Sequence, residues 1–319
     1  MCGAAPCSPS RRNLKASFHP DYFLPLPDGH PFPMAKYPLV RERLRTNGLL
    51  RERDELMPEE APFEDLARVH TADYLERLAG DGLTAAEVRA LGVPWTPRLL
   101  RRSRLAVQGT LLAARAALEE GLAGNLAGGT HHAFADHGEG FCVLNDVAVA
   151  IRRLQAEGAV RRALVVDLDV HQGNGTAAIF EGDASVRTFS MHGERNYPAR
   201  KMRSTFDVGL PDGTGDDEYL AALDDHLPRL TQGFAPDLVF YLAGVDVAAG
   251  DRYGRFALTD DGLRARERRV LGWARGLGLP MVVTLAGGYA ATPERTAELH
   301  AMVFEEAAAS SGCGAGAAA

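Results

Sequence analysis

Asp169-Val170-His171 places a carboxylate and an imidazole two residues apart. On an extended segment such residues point to the same side, so both can reach one cation. Asp246, from a distant stretch of chain, can supply a third ligand. Three protein ligands with one open position describe a catalytic zinc site. The D-x-H spacing alone is weak, since a surface Asp beside a hydrogen-bonded His looks the same. Carboxylates that follow buried strands are harder to explain as surface groups, because a buried charge needs a partner. Oxygen-rich ligation selects less sharply for zinc than thiolate does, and ferrous iron or another divalent ion suits the same set. His131-His132 follows two glycines and can act as an acid/base pair beside a metal-activated water. In Gly287-Gly288-Tyr289 the glycines let backbone approach a ligand, and the tyrosine hydroxyl can donate to a developing oxyanion. Taken alone, that tyrosine reads more simply as a packed aromatic.

These groups need a scaffold that gathers them. Each follows a short apolar run: Leu122 to Ala127, Leu164-Val165-Val166, Leu238 to Leu242 and Met281 to Leu285, with Val186 to Phe189 a further run of the same kind. Continuous runs of this length suit parallel strands buried on both faces. Between them, Pro97 to Glu120, Asn145 to Glu157, Asp216 to Thr231, Thr259 to Gly276 and Pro293 to Ala308 read as helices. Asn145 suits an N-cap, Gly158 a C-terminal cap, and Pro228 should kink or end its helix. The alternation predicts an α/β chain with a doubly wound, mostly parallel sheet flanked by helices in a single domain. In such sheets ligands bind beyond the carboxyl ends of the strands, where all four motifs would meet.

The 319 residues are 46% hydrophobic and 24% charged, an ordinary globular balance. A formal charge of −7 argues against a nucleic-acid partner, and the basic pairs Arg101-Arg102 and Arg161-Arg162 read as solvated helix surface. No run of about 18 apolar residues offers a membrane span, and Met1 to Ser10 lacks the apolar core of a signal peptide. Of Cys2, Cys7, Cys142 and Cys313, only Cys142 lies in the body of the chain. It reads as a small buried hydrophobe, and a reducing cytoplasm is the expected setting. Residues 1–13 read as a flexible leader, 14–309 as the folded domain, and 310–319 as a disordered tail. Phe18 to Tyr37 reads as an irregular edge in which Phe32 and Tyr37 pack rather than touch ligand.

Four segments resemble the histone deacetylase superfamily, which shares its fold with arginases: Gly128 to Ala150, Val165 to Gly175, Leu242 to Thr259 and Leu285 to Ala290. The resemblance runs from about Phe18 to Ala308. Gln172 and Asn174, with Gly250-Asp251-Arg252, look closest to the class IV branch and its bacterial relatives. The resemblance implies a zinc-dependent deacylase of acyl-lysine or a similar acylated amine. Asp169, His171 and Asp246 would hold the metal, His132 would be the general base, and His131 an electrostatic catalyst or acid. Tyr289 would polarise the acyl carbonyl. Asp167 would orient His131 and, with Asp169, His171 and Ser190, bind a structural potassium ion. Gly140, Phe141, Gly287 and Gly288 would line a narrow channel. Tyr253 stands where the polyamine-specific branch carries a glutamate, and Tyr197 is the expected rim contact. Asn174 departs from the aspartate of many class I members and would pair with His132 as a neutral partner, leaving it less basic. Two rivals are a ureohydrolase-like enzyme with two metal ions, which needs more ligands in one cluster, and an inactive acyl-lysine binder. Acyl length, carrier and oligomeric state are not legible in the sequence.

Overall fold

The structure is a computed structural model that describes residues 14–80 and 82–310. The expected leader and residues 311–319 of the expected tail lie outside the described residues, as do Cys2, Cys7 and Cys313. Ser310 is a correction: it is the last residue of the final helix rather than the first of a tail.

Among the described residues, eight strands form one parallel sheet: β1 (Lys15–Ser17), β2 (Glu55–Leu56), β3 (Leu122–Asn125), β4 (Ala163–Asp167), β5 (Val186–Gly193), β6 (Phe206–Leu210), β7 (Leu238–Leu242) and β8 (Met281–Thr284). Their order is β2-β1-β3-β8-β7-β4-β5-β6, and every pairing is parallel. The helices are α1 (Lys36–Thr46), α2 (Phe63–Leu66), α3 (Ala72–Ala79), α4 (Ala85–Leu91), α5 (Pro97–Glu120), α6 (Asp146–Ala156), α7 (Asn174–Ile179), α8 (Asp216–His226), α9 (Asp260–Gly276) and α10 (Pro293–Ser310). The Phe18–Tyr37 segment holds a 3-10 turn at Pro20–Tyr22 and the start of α1. Pro228 falls where α8 gives way to a 3-10 turn, since proline has no amide hydrogen to continue the ladder.

The central strands are apolar without a break because both faces are covered. Leu164 and Val166 of β4, Val239 and Tyr241 of β7, and Met281 and Val283 of β8 join a core with α1, α9 and α10. The alternate residues, Ala163 and Val165, Leu238, Phe240 and Leu242, and Val282, join a second core with α5 and α6. Side chains two apart share a face, so one strand feeds two cores. Asn145 caps α6, accepting from Ala148 N at 3.0 Å through its side-chain oxygen. Gly158 follows that helix at φ 73°, where a Cβ would be strained.

All strands run the same way, so β3, β4, β7 and β8 deliver their following loops to one sheet end. Loop 126–132 leaves β3, loop 168–174 leaves β4, loop 243–259 leaves β7 and loop 285–292 leaves β8. Register places Asp167 beside Leu242, and Leu242 beside Thr284, so the loops begin level with one another.

Candidate active site

Asp169 and Asp246 are fully buried and His171 nearly so. His171 Nδ1 lies 3.0 Å from Asp169 Oδ1 and 3.1 Å from Asp246 Oδ2. One donor atom from each residue can be chosen so that all lie within 4.8 Å of one another. The edge of a tetrahedron with arms of about 2.0–2.1 Å is about 3.4 Å, so these spacings fit a shared divalent ion. The backbone holds the second oxygen of each carboxylate: Gly287 N donates to Asp169 Oδ2 at 2.7 Å and Val170 N to Asp246 Oδ1 at 2.9 Å. A Cβ on Gly287 would run into both carboxylates. This is the close approach for which glycine is needed.

The charges show the same demand for a cation. Burial, and then the neighbouring Asp169, push the Asp246 carboxyl up to about 7. Burial also pushes Asp169 up, but His131 and His171 outweigh it and hold that carboxyl well below the usual range. For His171, burial is outweighed by its bonds to the two carboxylates, which raise it to about 10. Two carboxylates and an imidazole in a dry site are costly unless charge is balanced.

His131 and His132 stand beside this group with ring centroids 4.1 Å apart. Their loop is anchored by Asp146, at the start of α6, which accepts from Gly129 N at 3.1 Å and Thr130 N at 2.8 Å. His131 Nδ1 meets Asp167 Oδ2 at 2.6 Å. Burial would lower His131, but the Asp167 and Asp169 carboxylates raise it to about 9. His132 Nδ1 meets Asn174 Oδ1 at 2.7 Å. Burial, then His131 and His171, hold His132 well below its ordinary value. Gly140 packs on this ring, since a Cβ there would lie 2.6 Å from His132 Cδ2.

A pocket opens onto these groups. Of the expected channel residues, Gly140, Phe141 and Gly287 line it, and so does the expected catalytic Tyr289. Tyr253 packs its ring on Tyr289 at 4.9 Å, and Tyr197 its ring on His132 at 4.9 Å. Gly288 faces the packing behind the loop, where a Cβ would meet Val245 and His300. Ser190 pairs in register with Asp167, and its hydroxyl lies 3.0 Å from His192 Nδ1. Phe32 and Tyr37 pack as expected, yet both also line the pocket, and Phe32 meets Phe141 at 5.2 Å and Tyr289 at 6.0 Å. Burial, then Asp246 and Asp169, push the Tyr289 phenol well above its ordinary value. It is therefore a donor at neutral pH.

Four more side chains shape the site, none of them assigned a role there from the sequence. Lys36 is fully buried under the site and donates to Ala286 O at 2.8 Å. Burial lowers it to about 8. Arg102 of α5 is a correction: expected as solvated helix surface, it is buried and lines the inner pocket. Asp251 accepts from Tyr253 N, Gly254 N and Tyr289 N, tying the β7 loop to the β8 loop. Glu139 Oε1 accepts from Asn174 Nδ2 at 2.5 Å. Only Glu139 carried a local signal, the tight Gly140-Phe141 turn beside it. Cys142 is buried and free, and burial raises its thiol, so it is not an activated nucleophile. Among the described residues no helix is long and apolar enough to cross a membrane.

A family model described as the histone deacetylase domain matches residues 30–307. An uncharacterized protein of Picosynechococcus is 48% identical over 273 residues, covering 86% of this chain and 91% of that protein. Histone deacetylase 2 of Arabidopsis thaliana is 34% identical over 269 residues, covering 82% of this chain and 70% of its own length. The crystal structure of the HDA15 HD domain matches with a TM-score of 0.74 at 26% identity, over 92% of this chain and 90% of that one.

Proposed function

Because this chain belongs to the histone deacetylase family and has the arginase/deacetylase fold, we propose that it is a metal-dependent deacylase that cleaves the amide of an acylated lysine or a similar acylated amine. The observation that carries this is the buried Asp169, His171 and Asp246 group beside two histidines, one paired with a carboxylate and the other with an amide. Those three residues would hold one divalent ion, zinc by preference and ferrous iron as the substitute. A divalent ion there supplies Lewis acidity toward a water and the acyl carbonyl.

The protein's own groups do the rest. His132, kept neutral, takes the proton of the attacking water. Tyr289 donates its hydroxyl to the oxygen on which negative charge grows. His131, kept protonated by Asp167, stabilises that charge and can hand a proton to the departing amine nitrogen. Gly140 and Phe141 form one wall of the channel for the acyl-lysine stem, with Gly287 at its floor and Tyr253 and Tyr197 nearer the rim, while Gly288 packs behind the loop and does not line it. Asp167, Asp169, His171 and Ser190 would hold a potassium ion that braces the β4 and β5 ends. Gln172, Asn174 and Asp251 support a class IV-like relationship, which favours long fatty acyl groups alongside acetyl. Lacking a gatekeeper carboxylate at Tyr253, the site is a poor match for cationic polyamines.

The test is turnover of acetyl-, butyryl- and myristoyl-lysine peptides with and without a chelator. Chelator-sensitive release of at least one acyl group is expected. Binding without release would return the chain to the inactive-binder reading, and chelator-resistant release would remove the metal.

A further inference from the structure

Asn174 can face His132 in two ways, because its amide carries an acceptor on one side and a donor on the other. The two ways are chemically opposite. With Oδ1 toward the ring, His132 Nδ1 must carry the hydrogen, and Nε2 is left with the lone pair of a base. With Nδ2 toward the ring, Nδ1 must carry the lone pair, and Nε2 is blocked by a hydrogen. An aspartate at 174 would remove this choice, having acceptors only; an asparagine does not.

Glu139 removes it instead. Its Oε1 lies 2.5 Å from Asn174 Nδ2, on the side away from His132. A flipped Asn174 would set Oδ1 against this carboxylate, acceptor against acceptor. The carboxylate is itself held by two features. It starts a tight turn, with Cys142 N donating to Glu139 O at 2.9 Å and Gly140 and Phe141 at φ 55° and 68°. That turn is pinned to the end of α4, where Gly140 N donates to Ala90 O and Phe141 N to Leu91 O. His132 also meets the Tyr197 ring, edge-on at 4.9 Å.

We propose that Glu139 is a positioning residue that sets the tautomer of His132 through Asn174, so that the hydrogen sits on Nδ1 and Nε2 is free to accept a proton. The catalytic value of this device rests on the deacylase reading above; the tautomer itself does not. The pair Glu139-Asn174 is then a transposed form of a carboxylate beside histidine, with the charge moved one residue outward.

The test is a swap, read by kcat, KM and the ¹⁵N spectrum of His132 in the metal-loaded protein. Glu139→Gln replaces an acceptor-only group by one that accepts either orientation of Asn174. It should give a mixed tautomer and lower kcat about tenfold, with KM within about twofold of wild type. In Glu139→Gln with Asn174→Asp, the aspartate accepts from His132 and the glutamine amide donates to the aspartate. The Nδ1–H tautomer should return, and with it most of the lost kcat. Both changes keep side-chain shape, and a folding defect in the single variant would not be cured by the second change. A single variant with the wild-type tautomer, or a double variant that regains neither tautomer nor rate, would overturn the proposal. If no acyl-lysine is turned over by the wild type, the function fails while the nitrogen spectra still decide the role of Glu139.

Discussion

His131 and His132 are neighbours in the chain, are 4% and 5% exposed, and titrate in opposite directions. Burial disfavours the charged form of both rings. The difference comes from the charges around them, first of all at Nδ1. Asp167 brings a full negative charge to His131, whereas Asn174 brings only a dipole to His132. Asp169 also raises His131, while His131 and His171 lower His132 further. His70 supplies a third case: equally dry, with no carboxylate beside it, it is lowered by burial to about 4. Desolvation sets a low baseline for a buried imidazole, and the Asp167 and Asp169 carboxylates together reverse it at His131. Two histidines side by side thereby become an acid and a base.

The largest effect should come from removing the ring that the account makes the base. His132→Ala should lower kcat on the order of 1,000-fold while the protein still binds one equivalent of metal. A His131→Ala variant that loses more than His132→Ala would invert the comparison. Tyr289→Phe comes next, with loss of one oxyanion donor costing on the order of 100-fold in kcat and leaving metal content intact. Full activity in that variant would remove Tyr289 from the chemistry.

Much of this site was legible in the sequence because polar residues followed strand-length apolar runs. Asp169-Val170-His171, Asp246, His131-His132 and Tyr289 stand on four loops that leave one end of the sheet, and strand direction alone predicts their meeting. The residues that tune those groups were not legible. Lys36 meets Ala286 across 250 residues of chain, and no local pattern announces such a pairing. β1 and β2 are three and two residues long, too short to show a period of two. β6 is an edge strand whose alternate residues face solvent, so it lacks the continuous apolar run of the central strands. Phe32 and Tyr37 could be read as packing, but only the fold shows that the packing is also the pocket wall.

A smaller effect sharpens the electrostatic half of the comparison. Asp167→Asn replaces the charge beside His131 by a dipole. His131 should then fall from about 9, and kcat should drop about tenfold. A titration of His131 by NMR checks the first part, and an unshifted ring would show that Asp167 is not the cause. The smallest effect tests the baseline. His70 has a folded pKa of about 4, below the ordinary 6.5. The unfolded chain binds the extra proton between those values, so this histidine's contribution to stability is full above about 6.5 and is lost as pH falls toward 4. Denaturant melts at pH 5, 6 and 7 should show a pH slope in wild type steeper than in His70→Gln by about 1 kcal/mol per pH unit at most. Equal slopes would mean that burial does not lower this imidazole.

The central claim is that Asp169, His171 and Asp246 close around one divalent ion next to the paired histidines. Anomalous diffraction at the zinc edge, on crystals of the zinc-loaded protein, measures this most directly. A single strong peak should lie about 2 Å from an oxygen of each aspartate and from His171 Nδ1. A peak elsewhere, or two peaks sharing the cluster, would contradict it.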